Sequence, residues 1–135
     1  MSDCIFCKII KKEIPANIVY ENDKVIAFLD IRPINTGHML VVPKTHNVNL
    51  LDTPEDILCE LAIATKKISA AVIKAVGAQG FNIGMNNGKA AGQLVMHAHL
   101  HIIPRFPNDG LRHWPGKESS KEELEAIAKE IVKLL

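Results

Sequence analysis

Three histidines stand at alternate positions in the stretch His97-Ala98-His99-Leu100-His101 and constrain this chain more than any other feature. Side chains of a β-strand alternate between its two faces, so the spacing predicts a strand with one imidazole face and one apolar face. Each residue advances a strand by about 3.3 Å, which puts neighbouring imidazoles roughly 6–7 Å apart. Rings at that separation can act together on one ligand.

Three uses of the histidine cluster fit this pattern. The imidazole face can be a polar surface turned to solvent. Imidazole is also the commonest neutral metal ligand, so alternating histidines can chelate a metal. In the third use, one imidazole attacks a substrate while its neighbours orient it and protonate the leaving group. The three histidines alone do not choose among these uses, so the rest of the chain must.

Length and charge limit the possible partners and compartments. The 135 residues predict a single domain over positions 1–135. With 16 basic and 15 acidic residues the net charge is +1, which gives no electrostatic basis for general binding to nucleic acid or to a membrane surface. The sequence has no apolar run of about 18 residues and no signal-like start, so we expect a cytoplasmic protein. Three cysteines, an odd number, argue against a disulfide framework.

Hydrophobic periodicity predicts an α+β fold with a five-stranded antiparallel sheet. Strand-like runs occupy Ile18–Glu21 and Val25–Leu29, joined as a hairpin across Asn22-Asp23, and three more strands are predicted over 38–43, 81–85 and 97–104. A short N-terminal helix falls within 3–12 and a C-terminal helix follows the capping box Ser120–Glu123.

One long amphipathic helix lies between the third and fourth predicted strands. We expect Thr53 to be its N-cap, Pro54 its first residue and Gly77 its end. Within this helix, Cys59 is predicted to be an inert core thiol. The length of the helix suggests that part of it packs against a second subunit.

Cysteine and histidine pairs predict a zinc site. Cys4 and Cys7, His46 and His97 lie in separate elements that a sheet can bring together, and two thiolates with two imidazoles form a familiar tetrahedral zinc set. With four protein ligands the zinc is expected to be structural, at one ion per subunit, and to tether the N-terminal segment. Such a zinc site uses His97 as a ligand and leaves His99 uncoordinated.

The loop before the histidines predicts a phosphate cradle. Residues 86–93 are small and glycine-punctuated, so backbone amides can approach an anion, and Asn86, Lys89 and Gln93 add side-chain donors. Neutral imidazole, with a pKa of about 6.5, can attack phosphorus at neutral pH without a separate base. We therefore expect His99 to be a nucleophile that needs no catalytic metal.

Segments over nearly the whole chain match one family pattern: Cys4-Ile5-Phe6-Cys7-Lys8-Ile9-Ile10, Glu13-Ile14-Pro15, Ala27-Phe28-Leu29-Asp30-Ile31, Gly37-His38, Val42-Pro43-Lys44-Thr45-His46 and Gly92-Gln93 through His97-Ala98-His99-Leu100-His101-Ile102-Ile103. They resemble the histidine triad family of nucleotide hydrolases and transferases, particularly its Hint branch. The resemblance implies an α+β fold whose sheet pairs across a homodimer. It also implies zinc on the four cysteine and histidine ligands named above.

The resemblance further implies roles for individual residues. It makes His99 the nucleophile that forms a nucleotidyl-histidine intermediate, with His101 near the leaving group and His38 supporting the imidazole cluster. Asp30 is expected to bind the ribose hydroxyls. The remaining nucleotide-binding residues are expected at the base (Ile5, Phe6, Ile9, Phe28, Ile31) and near the phosphate (Asn86, Gly92, Gln93, Val95). Leu94 departs from the family pattern, because many Hint-type members carry serine or threonine there.

The predicted activity is cleavage of a bond at the α-phosphate of a purine nucleotide, an AMP or GMP derivative, with release of the nucleoside monophosphate. Nucleoside phosphoramidates and acyl adenylates are the expected substrates. Two alternatives stay open, a dinucleoside polyphosphate hydrolase and a nucleotide-binding regulatory protein with incidental turnover. A metal-dependent hydrolase using all three histidines is the remaining competitor.

Overall fold

The central sheet is antiparallel, with five strands in the order β1-β2-β3-β5-β4. The computed structural model describes residues 3–135, so the first two positions of the predicted domain lie outside the described residues. The predicted α+β fold, with one long, one C-terminal and one short N-terminal helix, is confirmed. Its elements in chain order are α1 (Ile5–Ile10), β1 (Ile18–Glu21), β2 (Val25–Leu29), β3 (Met39–Pro43), α2 (Glu55–Val76), β4 (Gly80–Gly84), β5 (Leu100–Arg105) and α3 (Lys121–Leu134), with a 3₁₀ turn at Lys89–Ala91.

Helices cover both faces of the sheet. On one face, α2 packs against a core that includes Val25, Ala27, Met39, Val41 and Ile102. On the other face, Phe6 and Ile9 of α1 pack against Ile26, Phe28, Leu40 and Val42. Since successive strand residues point to opposite faces, His101 lies on the α1 face, opposite its neighbour Ile102. That face carries the candidate site.

The histidine stretch is only partly a strand. β5 begins at Leu100, so His101 lies within the sheet and pairs with Leu40, whereas His97 and His99 precede the strand. The backbone N–H of Ala98 donates to the carbonyl of Asn47 at 2.7 Å, in the loop that follows β3. This tertiary hydrogen bond replaces the strand pairing predicted for positions 97–99, and that part of the prediction is wrong.

Two predictions about α2 are also wrong. The N-cap position is occupied by Pro54, and the Thr53 hydroxyl donates to the carbonyl of Asn49 at 2.6 Å instead of capping the helix. Cys59 is exposed, because it lies two positions from the core residue Leu61 and therefore on a different side of the helix. The predicted helix end is confirmed at Gly77, which adopts the left-handed conformation with φ 69°.

Gly37 positions the residue that follows it, His38. Its φ is +90°, and a Cβ at this position would lie 3.1 Å from the Cγ1 atoms of both Val72 and Val76 on α2. A side chain here would therefore suffer both backbone strain and a tight contact. Glycine lets the loop between β2 and β3 pack directly on the end of α2.

α3 begins as predicted, with the Ser120 hydroxyl accepting from the backbone N–H of Glu123 at 3.1 Å. All of its residues are exposed, including the apolar residues Leu124, Ile127 and Ile131. Among the described residues, none of the helices is long and apolar enough to cross a membrane.

Candidate active site

Three adjacent strands bring the candidate catalytic residues together. Asp30 follows the end of β2, His38 precedes β3, and His101 lies on β5. Because β3 lies between β2 and β5, these side chains meet at one end of the sheet. The Nε2 atom of His38 is 2.9 Å from Nδ1 of His101, and the ring centroids of His99 and His101 are 5.0 Å apart.

Hydrogen bonding fixes the tautomer of His99. Its Nδ1 lies 2.7 Å from the carbonyl oxygen of His97, and a carbonyl can only accept, so the proton is on Nδ1. The Nε2 atom therefore carries the lone pair. Burial lowers the pKa of His99, although the carbonyl contact and Asp30 oppose that shift. The ring is neutral at pH 7 and suited to nucleophilic attack through Nε2.

A chain of two hydrogen bonds fixes the tautomers of His38 and His101. The backbone N–H of Ile34 donates to Nδ1 of His38 at 3.0 Å, so the proton of neutral His38 must be on Nε2. Nε2–H of His38 then donates to Nδ1 of His101. Neutral His101 consequently holds its own proton on Nε2, where it can donate a hydrogen bond to a leaving group.

Burial keeps both of these rings neutral. Desolvation lowers the pKa of His38, while the charge of Asp30 opposes this effect. The pKa of His101 falls to about 4, mainly through burial and then through the neighbouring His99 and His38, again opposed by Asp30. A neutral imidazole has one donor nitrogen and one acceptor nitrogen, so the hydrogen bonds described above determine which nitrogen of each ring holds the proton.

A cavity of about 410 Å³ opens beside these histidines. Its volume is in the range of small-molecule sites, and its wall is mostly apolar. His99 and His101 line it. Nine of the ten residues predicted to bind nucleotide also line it, namely Ile5, Phe6, Ile9, Phe28, Asp30, Ile31, Asn86, Gly92 and Val95, and so does Leu94.

Gln93 is the predicted nucleotide-binding residue that does not line this cavity. Its side chain is 2% exposed. The Gln93 Oε1 accepts from the backbone N–H of Gly88 at 2.8 Å, and Nε2 donates to the carbonyls of Val48 and Val95 at 2.6 and 3.0 Å. These bonds shape the 86–93 loop and hold this side chain away from the cavity.

The four predicted metal ligands lie together. Donor atoms of Cys4, Cys7, His46 and His97 are within 4.8 Å of one another. Nδ1 of His97 is 3.4 Å from Sγ of Cys4, and Nδ1 of His46 is 3.3 Å from Sγ of Cys7. Two sulfurs and two nitrogens at such separations fit a closed tetrahedral zinc site.

His97 is oriented for metal ligation. Its Nε2–H donates to the carbonyl of Pro43 at 2.8 Å, which leaves the lone pair on Nδ1, the atom that faces the thiols. Burial raises the pKa of Cys7, and the Cys4 thiol adds to the shift. Zinc binding would have to displace that proton, because thiolate is the ligand form.

A carboxylate network next to the site was not predictable from sequence patterns. Asp109, with a side chain only 9% exposed, accepts from Nε and Nη2 of Arg105 at 2.9 and 2.6 Å and from Nδ2 of Asn35 at 2.8 Å. The Arg105 guanidinium, followed by the backbone N–H of Phe106, holds the pKa of Asp109 well below its usual range. In the sequence, Asp109 has only the appearance of a turn residue.

The fold and the site together define a class of protein. Its members are antiparallel α+β proteins with a hydrogen-bonded histidine cluster at a small-molecule cavity. The HIT domain model matches residues 11–108, which is most of the chain. The protein belongs to the HIT domain family, as the histidine triad resemblance indicated. It is 54% identical over 107 residues to an uncharacterized HIT-like protein of Methanocaldococcus jannaschii, covering 79% of this chain and 82% of that protein.

Two relatives have named activities. The adenylylsulfatase HINT3 of Arabidopsis thaliana is 41% identical over 123 residues, covering 91% of this chain and 61% of that protein. The adenosine 5'-monophosphoramidase hnt1 of Schizosaccharomyces pombe is 40% identical over 131 residues, covering 95% of each. The family therefore includes enzymes that are named for the hydrolysis of adenosine nucleotide derivatives.

Solved structures show the same fold. A HIT family protein from Bacillus subtilis superposes with a TM-score of 0.91 at 40% identity, covering 98% of this chain and 97% of that one. A histidine triad nucleotide-binding protein from Candida albicans gives 0.84 at 35% identity, covering 98% and 100%. A zinc-bound histidine triad family protein from Mycobacterium smegmatis gives 0.78 at 37% identity, covering 99% of each.

Acidification is expected to destabilise the fold through the buried histidines. The pKa of His101 is lowered to about 4 in the folded state, so the unfolded chain binds the proton more readily. Stability that is present above about pH 6.5 is lost as the pH falls towards 4, by about 3 kcal/mol for this group. Urea unfolding at a series of pH values, with chelator throughout, measures the loss. His101→Gln should reduce the slope, and an unchanged slope would contradict this assignment.

Proposed function

We propose that this protein hydrolyses purine nucleotide derivatives at the α-phosphate through a covalent nucleotidyl intermediate on His99. Nucleoside phosphoramidates and acyl adenylates are the proposed substrates. The single observation that carries the proposal is the pairing of a free Nε2 lone pair on His99 with an Nε2–H on His101 at one cavity. A nucleophile with a free lone pair beside a hydrogen-bond donor to the leaving group is an arrangement that favours displacement at phosphorus.

The proposed first step forms a bond between Nε2 of His99 and the α-phosphorus. The bond from phosphorus to the leaving group breaks, the leaving atom accepts a hydrogen bond from Nε2–H of His101, and the leaving group takes its proton from solvent water. His99 keeps its Nδ1 proton on the carbonyl of His97, which supports the positive charge that develops on the ring. The nucleotide base would lie against Phe6 and Phe28, and the ribose near Asp30.

In the proposed second step, water attacks the phosphorus of the intermediate. The bond from phosphorus to Nε2 of His99 breaks, and the proton of the attacking water goes to solvent water. The nucleoside monophosphate leaves, and both histidines are again in their starting tautomers. Named hydrolases among the relatives support this class of reaction, and the scheme needs no metal at phosphorus.

Replacement of the nucleophile tests the proposal. His99→Ala is expected to lower hydrolysis of adenosine phosphoramidate by about 10⁴-fold or more, because the covalent route is lost. Binding of AMP, measured by calorimetry, should persist, since the cavity walls come mostly from other residues. The wild type should also yield an acid-labile adenylyl adduct on His99 by mass spectrometry. Full activity in the variant would refute the proposal.

The alternatives predict different outcomes of the same experiment. A dinucleoside polyphosphate hydrolase would cleave dinucleoside polyphosphates faster than the phosphoramidate. A regulatory nucleotide-binding protein would show binding and no turnover even as wild type. A metal-dependent hydrolase has a possible ligand set in Asp30, His38 and His101, whose donor atoms lie within 4.8 Å of one another. It predicts that a chelator abolishes turnover in protein that remains folded.

We also propose one structural zinc ion per subunit on Cys4, Cys7, His46 and His97. Support comes from the geometry of the donors and from the zinc-bound relative. When bound, zinc would tie α1 to the end of the sheet and thereby hold one wall of the cavity. The ion takes no part in the proposed reaction.

Removing one thiol tests the metal proposal. Cys4→Ser is expected to reduce zinc from about one ion per chain to a small fraction and to lower the melting temperature by roughly 10 °C or more. Plasma mass spectrometry and thermal unfolding measure these effects. Cys59→Ser removes an exposed thiol away from the cluster and serves as the matched control. Equal zinc content in the two variants would exclude Cys4 as a ligand.

The protein is further proposed to be a homodimer in which β4 of one subunit pairs with β4 of the other. β4 is an edge strand, and its five residues Gly80–Gly84 carry no charge. The other edge strand, β1, is irregular between Ile18 and Tyr20, and its Glu21 forms ion pairs of 2.7 Å with Lys12 and Lys44. Bulges and charges protect an edge from pairing, so β4 is the better candidate.

A charged substitution on each edge strand in turn tests whether β4 or β1 forms the subunit interface. Ile83 on β4 and Val19 on β1 are both substantially exposed, so an aspartate at either position should leave the subunit folded. Ile83→Asp is expected to convert the dimer to monomer, because two like charges would meet across the interface. Val19→Asp should leave the dimer intact. Sedimentation equilibrium measures both, and a wild-type monomer would exclude the dimer.

A single histidine triad domain over 1–135 and a cytoplasmic location complete the proposal. All five strands belong to one sheet, which supports a single domain. Three free cysteines fit a reducing compartment. Cell fractionation would contradict the location if the protein were found outside the cytoplasm.

A further inference from the structure

We propose that Asp109 is a positioning residue that holds the loop between β2 and β3 so that the Ile34 amide fixes the tautomer of His38. Through His38 it keeps the proton of His101 on Nε2. The kinetic consequence rests on the proposed function, in which that N–H donates a hydrogen bond to the leaving group. The positioning itself is a property of the folded chain and can be tested without substrate.

Asp109 joins separate segments of the chain. Its carboxylate accepts from the Arg105 guanidinium at the end of β5, from the backbone N–H groups of Phe106 and Leu111 at 2.9 and 3.1 Å, and from Nδ2 of Asn35 at 2.8 Å. Charge-assisted bonds of this kind are stronger than neutral ones. The carboxylate is thus anchored to β5 and to the turn after it, and it presents one oxygen to the loop.

Asn35 transmits this anchoring to the loop. Its side-chain Nδ2 donates to Asp109 and also to the carbonyl of Pro104 at 2.9 Å. The backbone carbonyl of Asn35 accepts from the backbone N–H of His38 at 3.1 Å. Ile34, the adjacent residue, donates its backbone N–H to Nδ1 of His38. Asp109 therefore acts on His38 through Asn35 and the backbone on either side of it.

The Ile34 amide is the contact that selects the tautomer. A proton on Nδ1 of His38 would face the donor N–H of Ile34, so only the Nε2–H form is compatible with this loop conformation. Asp30 is too distant to take over this task by a hydrogen bond, because its Oδ2 lies 3.7 Å from Nε2 of His38. If the loop loosens, His38 can exchange tautomers, and the donor to Nδ1 of His101 is lost in part of the molecules.

Nitrogen-detected NMR of ¹⁵N-histidine-labelled full-length protein tests the inference. In the wild type, Nδ1 of His38 is expected to show the shift of an unprotonated acceptor and Nε2 that of a protonated nitrogen. Asn35→Ala breaks the link to the loop and leaves the pair of Arg105 and Asp109 in place. It should produce a mixture of tautomers at His38 and lower kcat for adenosine phosphoramidate about tenfold, with KM changed by less than about twofold.

Asp109→Asn is the second variant and is expected to act in the same direction. Glu21→Gln is the matched control. Like Asp109, Glu21 is a carboxylate that forms ion pairs, in its case with Lys12 and Lys44, but it is not hydrogen-bonded to the loop between β2 and β3. It should keep the wild-type tautomer and kcat. A folded Asn35→Ala protein with the wild-type tautomer at His38 would overturn the inference, even if Asp109→Asn fails to fold. Absence of turnover in the wild type would instead defeat the proposed function, and the NMR result would still decide this inference.

Discussion

The hydrogen bond from Nδ1–H of His99 to the carbonyl of His97 is the contact on which the site depends. An imidazole can expose a lone pair at either ring nitrogen, and at 2.7 Å the carbonyl removes that choice. The carbonyl is itself held in place, because the His97 side chain is buried and bonded to Pro43 on β3. The ring nitrogen of His99 that carries the lone pair is thus set by backbone geometry.

The candidate zinc cluster and the candidate nucleophile are therefore parts of one structure. His97 gives its carbonyl to His99 and turns its Nδ1 towards the thiols of Cys4 and Cys7. Phe6 lies between these two cysteines in the sequence and packs edge-on against His99 at 5.1 Å. An ion at the thiols would consequently stabilise both the cavity wall and the ring that faces the cavity.

The sequence predicted what depends on local periodicity and on motif spacing. β1 and β2 have the predicted bounds because two short strand-like runs and the Asn22-Asp23 turn between them are local signals. The four metal-ligand candidates were chosen by residue type, and formation of the sheet is enough to bring them together. Of the nine predicted residues that line the cavity, Asn86 was also expected from the composition of its loop, and the others came from the family resemblance.

Features that depend on long-range contacts could not be predicted in this way. Positions 97–99 have the alternation of a strand, yet the Ala98 amide bonds to Asn47 in a loop, which no periodicity reveals. Gln93 is polar and next to glycine, as a phosphate-binding residue would be, but its side chain bonds to Val48, a partner 45 positions away. Asp109 and Asn35 are 74 positions apart, and only the fold makes them neighbours.

Burial of the imidazoles connects stability with chemistry. Desolvation is the largest cause of the lowered pKa at His38, His99 and His101, so the same surroundings that disfavour their charged forms keep a lone pair on His99 and a hydrogen-bond donor on His101 at neutral pH. A site that only bound nucleotides would need the cavity but not these complementary proton positions. The arrangement of protons, more than the shape of the pocket, therefore favours an enzyme over a binding protein.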